Sequence, residues 1–206
     1  MGMKYSIDKT ALLIVDLQND FVRKGAGMEV PDARDTIETN QKLIAFSREN
    51  DIPVIYTKFM AGPKRTLLWN WSPQIETVNA CVRGFKRFYP DVDKVLDCTD
   101  VIDELYPQEG DYIVEKYGYS SFHNTNLLDV MYSIDRDIII VTGTVTQICV
   151  EDTVHDAFHN RIKVIVALDA VSSFDKELHD AALKNIGMKY GAVMDSDSII
   201  SMLKGA

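Results

Sequence analysis

The sequence predicts a single α/β domain built as a doubly wound, Rossmann-like parallel sheet of about six strands flanked by helices. Short apolar runs alternate with helix-like stretches along the chain, which is the pattern of such folds. Residues 11–15 and 138–141 are unbroken apolar runs, typical of strands that are buried on both faces. At 206 residues the chain is long enough for a full core, and nothing divides it, so we expect one domain over residues 1–206.

The other elements follow in chain order. After the strand at 11–15, strands are predicted at 53–58, 112–116, 138–141, 163–168 and 192–194. Helices are predicted at 32–50, 125–134 and 176–189, with two more beginning near residues 147 and 196. Residues 59–110 are interrupted by glycine and proline. A structureless connection of that length is unusual, so we expect short helices within it.

Composition excludes several classes of function. The net charge is -9 and no cluster of basic residues is present, which argues against binding to nucleic acid or to an anionic membrane. The longest apolar runs are too short to span a bilayer. The N-terminal stretch MGMKYSIDKT lacks the apolar core of a signal peptide, so we expect a cytoplasmic protein. Three widely spaced cysteines make a disulfide framework or a cysteine-based zinc site improbable.

Cys149 is the first candidate for a chemical role. It lies in the first turn of a predicted helix, just beyond the strand at 138–141. We expect Thr146 to cap this helix by accepting the N–H of Cys149. Free N–H groups and the helix dipole lower the pKa of a thiol at such a place. The alternative is an inert buried thiol, and position alone does not decide between them.

Asp16 and Lys116 stand at the ends of two other predicted strands. Ligands of doubly wound sheets bind outside the carboxyl ends of the strands, where the strand order reverses. If the strands before Asp16 and Cys149 are neighbours, one crevice collects all three side chains. Asp16 would then accept the thiol proton, and Lys116 would keep Asp16 ionised. Taken singly, Asp16 could cap a turn and Lys116 could be a surface charge.

Three sequence blocks resemble the signatures of one enzyme family. Residues 16–21 read DLQNDF, residues 116–122 read KYGYSSF, and residues 143–150 read GTVTQICV. They resemble the signatures of the isochorismatase-like cysteine hydrolases, in the family's order, and the resemblance covers nearly the whole chain. One block alone would be a weak signal, whereas the three together are specific.

The resemblance implies a catalytic triad of Asp16, Lys116 and Cys149 on the isochorismatase-like hydrolase fold. It also implies a cis peptide between Thr144 and Val145, which aims the Val145 N–H, with that of Cys149, into an oxyanion hole. The reaction implied is hydrolysis of an amide through a Cys149 thioester, without a cofactor. Family members commonly form dimers or tetramers, so we expect a homo-oligomer.

The sequence also departs from parts of the family pattern. Members that open the vinyl ether of isochorismate usually lack the cysteine, so Cys149 favours a C–N hydrolase. Nicotinamidases carry an Asp-x-His pair and another histidine after the second strand. Residues 58–61 here read KFMA and contain no histidine, which disfavours nicotinamidase activity and predicts no metal. Gln147 stands where aspartate is common, and we expect it to contact substrate; Ser121 stands in place of an alanine.

Aromatic residues are candidates for the walls of a substrate pocket. We expect contacts to substrate from Phe21, Trp69, Trp71 and Tyr119. Core packing or a subunit contact is the alternative, and for the two tryptophans it carries equal weight. Further candidates for the pocket wall are Phe85 and Phe88.

Two groups of ionisable residues have weaker claims. Arg83, Lys86 and Arg87 could bind a substrate carboxylate, as in relatives acting on N-carbamoyl acids, although we favour a solvated basic loop. His155 and His159 have the spacing of a zinc-protease motif. That motif also needs a glutamate and a third ligand, so we favour a solvated or interface face.

These observations together predict a cysteine amidohydrolase acting on a small carboxamide or ureido (N-carbamoyl) compound. Two alternatives stay open. One is a vinyl ether hydrolase of the isochorismatase type, and the other is a non-catalytic binding protein on the same scaffold.

Overall fold

The strands and helices alternate along the part of the chain that the computed structural model describes, residues 4–64 and 66–205. The strands within these ranges are β1 (Thr10–Val15), β2 (Val54–Phe59), β3 (Lys86–Tyr89), β4 (Lys94–Asp97), β5 (Tyr112–Lys116), β6 (Ile138–Thr144), β7 (Lys163–Ser172) and β8 (Ala192–Met194). The α-helices are α1 (Asn19–Val22), α2 (Ile37–Glu49), α3 (Leu67–Trp71), α4 (Gln74–Thr77), α5 (Leu127–Ser133), α6 (Glu151–His159), α7 (Lys176–Lys189) and α8 (Ser196–Lys204).

Six strands form one parallel sheet in the order β5-β2-β1-β6-β7-β8. The chain builds outward from β1 through β2 to β5, then returns to the other side of β1 with β6. The strand order therefore reverses between β1 and β6, and a crevice opens there at the carboxyl ends of the strands. This confirms the doubly wound fold and the predicted neighbourhood of these two strands.

The apolar runs of β1 and β6 explain why these strands are central. Every residue of both strands is buried. Successive side chains of a strand point to opposite faces, and β1 accordingly supplies Leu12 and Ile14 to one core, and Ala11, Leu13 and Val15 to the other. Helices α2 and α8 cover the first core, whereas α5, α6 and α7 cover the second.

Most predicted elements agree with the structure, with differences at their ends. The predicted boundaries of β5, α7 and β8 are those observed, and α8 begins at the predicted residue. The predicted helix at 32–50 begins as a 3-10 helix, Pro31–Thr36, before α2. Strand β7 continues four residues beyond the prediction. Its register against β6 shifts between Val141 and Gly143. The charged Asp169 follows the predicted end of the strand and interrupts its apolar run, so the sequence pattern hides the continuation.

The long segment between β2 and β5 contains more than the predicted short helices. Helices α3 and α4 are present, but an antiparallel hairpin of β3 and β4 follows them. We did not predict this hairpin. Its first strand is fixed by Arg87 and Tyr89, which donate hydrogen bonds to the distant Asp20 carboxylate, and a local sequence pattern cannot reveal such contacts.

No helix within residues 4–64 and 66–205 combines the length and the hydropathy that crossing a bilayer requires. Residues 1–3 lie outside the described residues. They belong to the N-terminal stretch from which we predicted that the protein has no signal peptide.

Candidate active site

Asp16 follows directly after β1 and turns the chain away from the sheet. Its backbone has a positive φ of 53°, a conformation that aspartate tolerates better than most residues. The side chain is fully buried. Thr57 of β2 donates its hydroxyl to Asp16 Oδ1 at 2.6 Å and accepts the Asp16 N–H at 3.1 Å. Two bonds to a single hydroxyl therefore fix the orientation of the carboxylate.

Lys116 is the last residue of β5 and is also fully buried. Its Nζ lies 2.7 Å from Asp16 Oδ2 and donates to the carbonyl oxygens of Tyr119 at 2.7 Å and Gly118 at 3.2 Å. Burial lowers the pKa of the Lys116 ammonium, but the facing Asp16 carboxylate raises it, and the net direction is upward. Lys116 is therefore a cation at neutral pH and forms a buried ion pair with Asp16.

Cys149 lies beyond β6 in a π-helical turn, Thr146–Val150, which continues into α6. The peptide bond between Thr144 and Val145 is cis, as the family resemblance implies. Gly143 has a φ of 105°, and a Cβ there would overlap the carbonyl of Val15. Glycine at 143 thus allows β6 to pass close to the end of β1, next to Asp16.

The predicted helix cap at Thr146 is wrong. Its hydroxyl donates to the Ser172 carbonyl at 2.9 Å and lies 2.9 Å from His179 Nδ1, and the position before the turn is held by Val145 without a side-chain cap. The hydroxyl therefore ties the turn to β7 and α7 instead of capping it.

The electrostatic expectation for Cys149 is also wrong. We expected the helix start to lower the pKa of the thiol, whereas burial raises it to about 12, even though Lys116 acts in the opposite direction. Only 4% of the residue is exposed, so little water can solvate a thiolate. At neutral pH Cys149 is a protonated thiol, and it needs a base when it attacks.

The ion pair and the thiol meet at the edge formed by the carboxyl ends of β1, β5 and β6. Asp16 and Lys116 both act on the pKa of the Cys149 thiol, so the three side chains are neighbours. Asp16 and Lys116 are fully buried, whereas Cys149 borders a cavity of about 470 Å³. Such a volume is within the range of roughly 300–1,000 Å³ typical of small-molecule sites. A substrate in the cavity would therefore meet the thiol first, with the ion pair behind it.

Aromatic and apolar side chains form most of the cavity wall. Phe21 and Phe59 contact each other edge to face, with ring centroids 6.0 Å apart. Val145 and Ile148 lie beside Cys149. The remaining lining side chains include Met28, Trp71, Tyr119 and Phe174.

The predicted pocket residues fall into two groups. Phe21, Trp71 and Tyr119 line the cavity, whereas Trp69 and Gln147 are absent from its wall. Trp69 donates its indole N–H to the Gly62 carbonyl at 3.1 Å. The amide atoms of Gln147 are buried without a hydrogen-bond partner among the described residues. A contact of either residue with substrate stays a prediction.

The basic loop and its aromatic neighbours also lie outside the cavity wall. Arg83 pairs with Glu115, and Arg87 pairs with Asp20 at 2.9 Å. Arg83 and Lys86 are exposed, as expected for a solvated loop, whereas Arg87 is partly buried. Neither arginine lines the cavity. The other residues considered in this segment, Lys86, Phe85 and Phe88, do not line the cavity either.

Asp20 is an organising residue that the sequence analysis did not single out. Its buried carboxylate accepts hydrogen bonds from the N–H groups of Gly27 at 3.1 Å and Cys81 at 2.8 Å, besides those from Arg87 and Tyr89. A Cβ on Gly27 would lie 2.7 Å from the Cβ of Ala80, so glycine is needed for this close approach. Asp20 thereby ties the hairpin to the loop at 27–29, whose residues line the cavity.

Thr57 was missed as well. A threonine within the predicted strand at 53–58 was the available signal, and the parallel pairing of β2 with β1 sets it beside Asp16.

His155 and His159 each contact a neighbouring aromatic ring. The His155 ring lies 4.2 Å from the Tyr190 ring, and the His159 ring lies 5.7 Å from that of Phe158. Within residues 4–64 and 66–205, no group of three or more His, Cys, Asp or Glu side chains is arranged to hold a metal ion.

Comparison with known proteins places the chain among related hydrolases. Residues 10–198 match the family model described as the isochorismatase domain. A ureidoacrylate amidohydrolase, RutB, from Serratia proteamaculans is 29% identical over 98% of this chain and 86% of its own length. The crystal structure of a cysteine hydrolase from Pseudomonas syringae pv. phaseolicola superposes with a TM-score of 0.88 at 28% identity, covering 99% of this chain and 96% of the other.

A second solved structure extends the comparison. N-carbamoylsarcosine amidase from Thermoplasma acidophilum has a TM-score of 0.75 at 29% identity, covering 92% of this chain and 97% of the other. The match to the family model spans most of the sequence, and the fold and the order of its strands agree with it. The chain belongs to the isochorismatase family of hydrolases.

Proposed function

We propose that the protein is a cysteine amidohydrolase that cleaves a C–N bond of a small carboxamide or ureido compound. The observation that carries the proposal is the Cys149 thiol at the cavity wall, with the buried Asp16–Lys116 ion pair behind it. The similarity to an amidohydrolase and an amidase supports the choice of an amide.

In the first step the Cys149 sulfur attacks the carbonyl carbon of the substrate. The raised pKa of Cys149 keeps the thiol protonated until attack. Asp16 takes this proton as the sulfur attacks. Lys116 stabilises the negative charge that moves between the carboxylate and the sulfur, since its ammonium lies 2.7 Å from Asp16 Oδ2. The carbonyl oxygen becomes an oxyanion, which we assign to the N–H groups of Val145 and Cys149.

In the second step the tetrahedral intermediate collapses. The C–N bond breaks, and Asp16 returns the proton to the leaving nitrogen, so that an amine or ammonia departs and a thioester remains on Cys149. Asp16, again a carboxylate, then takes a proton from water. The resulting hydroxide attacks the thioester, and the sulfur leaves with a proton from Asp16. The products are a carboxylic or carbamic acid and the regenerated thiol.

Ammonia release from a panel of primary amides and N-carbamoyl compounds tests this proposal. We expect release by the wild-type protein and a loss of at least a thousandfold in Cys149→Ala, because the nucleophile is removed. Cys98→Ala is the matched control, since Cys98 is a buried thiol that does not line the cavity.

Two results would contradict the proposal. Full activity of Cys149→Ala would exclude the thioester route. Hydrolysis of a vinyl ether by Cys149→Gly at the wild-type rate, with no release from any amide, would favour the isochorismatase-type reaction instead.

A further inference from the structure

The wall of the cavity next to Cys149 combines a largely apolar surface with little charge. Two phenylalanines, Phe21 and Phe59, form an edge-to-face pair on its wall, and Met28 and Tyr119 extend the apolar surface. Among the described lining residues, Glu29 is the one with a formal charge at neutral pH, since Cys149 is protonated. The wall therefore offers dispersion contacts and a carboxylate, and its described part offers no cation.

Three basic side chains near this wall already have partners. Arg87, whose guanidinium lies close to Gly27, pairs with Asp20 at 2.9 Å. Arg34 lies 2.9 Å from Glu29 Oε1 and donates to the Val22 carbonyl at 2.7 Å. Lys116 is neutralised by Asp16 behind the thiol. None of these cations lines the cavity. A carboxylate bound there would lose its water without gaining a charged partner from the described part of the wall, which is costly.

Taking the proposed amidohydrolase function as its basis, we propose that this cavity selects amides whose remaining part is uncharged and apolar, and that Glu29 helps to exclude carboxylate-bearing compounds. An apolar group in the cavity gains dispersion contacts from the Phe21 and Phe59 rings and from the Met28 thioether, which all line it. The names of the two amidohydrolase relatives point to substrates that carry a carboxylate, so this chain would differ from them in the charge that its substrate bears.

Glu29 is placed to act as a specificity-determining residue. Its side chain is 28% exposed. Its Oε2 accepts the Gly25 N–H at 2.8 Å and its Oε1 faces Arg34, so the carboxylate is held at the wall rather than free to swing into solvent. Of the Glu29–Arg34 ion pair, the carboxylate lines the cavity and the guanidinium does not, so a second carboxylate in the cavity would meet the negative member of the pair first.

Alkylation of Cys149 by iodoacetamide and iodoacetate tests the inference without requiring turnover. The reagents have nearly the same size and differ in charge. The readout is the rate at which the peptide containing Cys149 gains the label, divided by the rate for glutathione with the same reagent. We expect the normalised rate for iodoacetamide to exceed that for iodoacetate at least tenfold. Equal rates, or a preference for iodoacetate, would overturn the inference.

Two variants test the role of charge at the wall. Glu29→Gln removes the fixed carboxylate, and Gln74→Lys places a cation at another lining position. Each variant is expected to lower the ratio of the normalised iodoacetamide rate to the normalised iodoacetate rate at least threefold. The second variant provides the test if the first folds poorly. An unchanged ratio in both folded variants would overturn the role of charge.

A matched pair of substrates separates this inference from the proposed function. The compounds 4-methylbenzamide and 4-carbamoylbenzoate share a ring and a carboxamide and differ in a methyl group against a carboxylate. We expect kcat/KM to be at least tenfold higher for the methyl compound. A higher value for the carboxylate would overturn the inference and leave the amidohydrolase intact. Absence of Cys149-dependent release from every amide would instead refute the proposed function, while the alkylation ratio would still report on the cavity.

Discussion

At the scale of single residues, the account depends on how Asp16 is held. The carboxylate must present one oxygen to the thiol while its other oxygen is fixed, and Thr57 supplies that fixation at 2.6 Å. The hydroxyl lies in β2, the strand between those that carry Asp16 and Lys116. We therefore regard Thr57 as a positioning residue for the base.

Replacing Thr57 tests this role. Thr57→Val keeps the shape but removes the hydroxyl, and we expect kcat to fall roughly 10- to 100-fold, because a hydrogen bond to a charged group contributes about 1.5–3 kcal/mol. KM should change little, since Thr57 does not line the cavity. Steady-state kinetics with Thr57→Ser as the conservative control check this. A Val variant with the wild-type kcat would contradict the role.

The residue scale also marks the limit of reading the site from sequence. Asp16, Lys116 and Cys149 could be predicted because each lies at or just beyond the end of a recognisable strand. The hydroxyl of Thr146 could not, because its partners Ser172 and His179 lie more than twenty residues away along the chain. The raised pKa of Cys149 escaped prediction for a similar reason, since burial depends on the whole surrounding fold.

At the scale of elements, Asp20 joins three segments that would otherwise be separate. Its carboxylate binds the loop at 27–29, the segment at Cys81 and strand β3. Strand positions could be predicted from apolar runs, whereas the hairpin of β3 and β4 could not, because its first strand depends on these contacts. One buried carboxylate therefore stabilises both the hairpin and the loop at 27–29, which lines the cavity.

Asp20→Ala should lower the free energy of unfolding by about 3–5 kcal/mol, because it leaves the Arg87 guanidinium and the other donors without their acceptor. Urea denaturation measures the change. Asp180→Ala is the control, since Asp180 forms an exposed pair with Lys176, and its stability should stay close to that of the wild type. Equal stabilities of the two variants would show that Asp20 does not have this role.

At the scale of the whole molecule, three buried thiols link stability to pH. Burial raises the pKa of Cys98 and of Cys149 to about 12, and it also raises that of Cys81. Each folded thiol therefore keeps its proton at a pH where the unfolded chain, with a thiol pKa near 9.0, has lost it. The unfolded state then binds fewer protons, so the free energy of unfolding falls as pH rises above about 9.

We expect the free energy of unfolding to fall by up to about 1.4 kcal/mol per pH unit for each thiol. Urea denaturation between pH 7.5 and 10.5 measures the slope. A variant with all three cysteines replaced by alanine should show a shallower slope over the same range. If the wild type and this variant lose stability in parallel, the thiols are not the cause.

The expected homo-oligomer, also a property of the whole molecule, stays a prediction.

The central claim is that Cys149 forms a covalent thioester with the acyl part of an amide. Rapid quenching of the wild-type protein with its best amide, followed by peptide mass spectrometry, tests this most directly. The account predicts an acyl adduct on the peptide that contains Cys149, formed before the acid product is released and absent from Cys149→Ala. Steady turnover without any adduct, or an adduct on another residue, would contradict it.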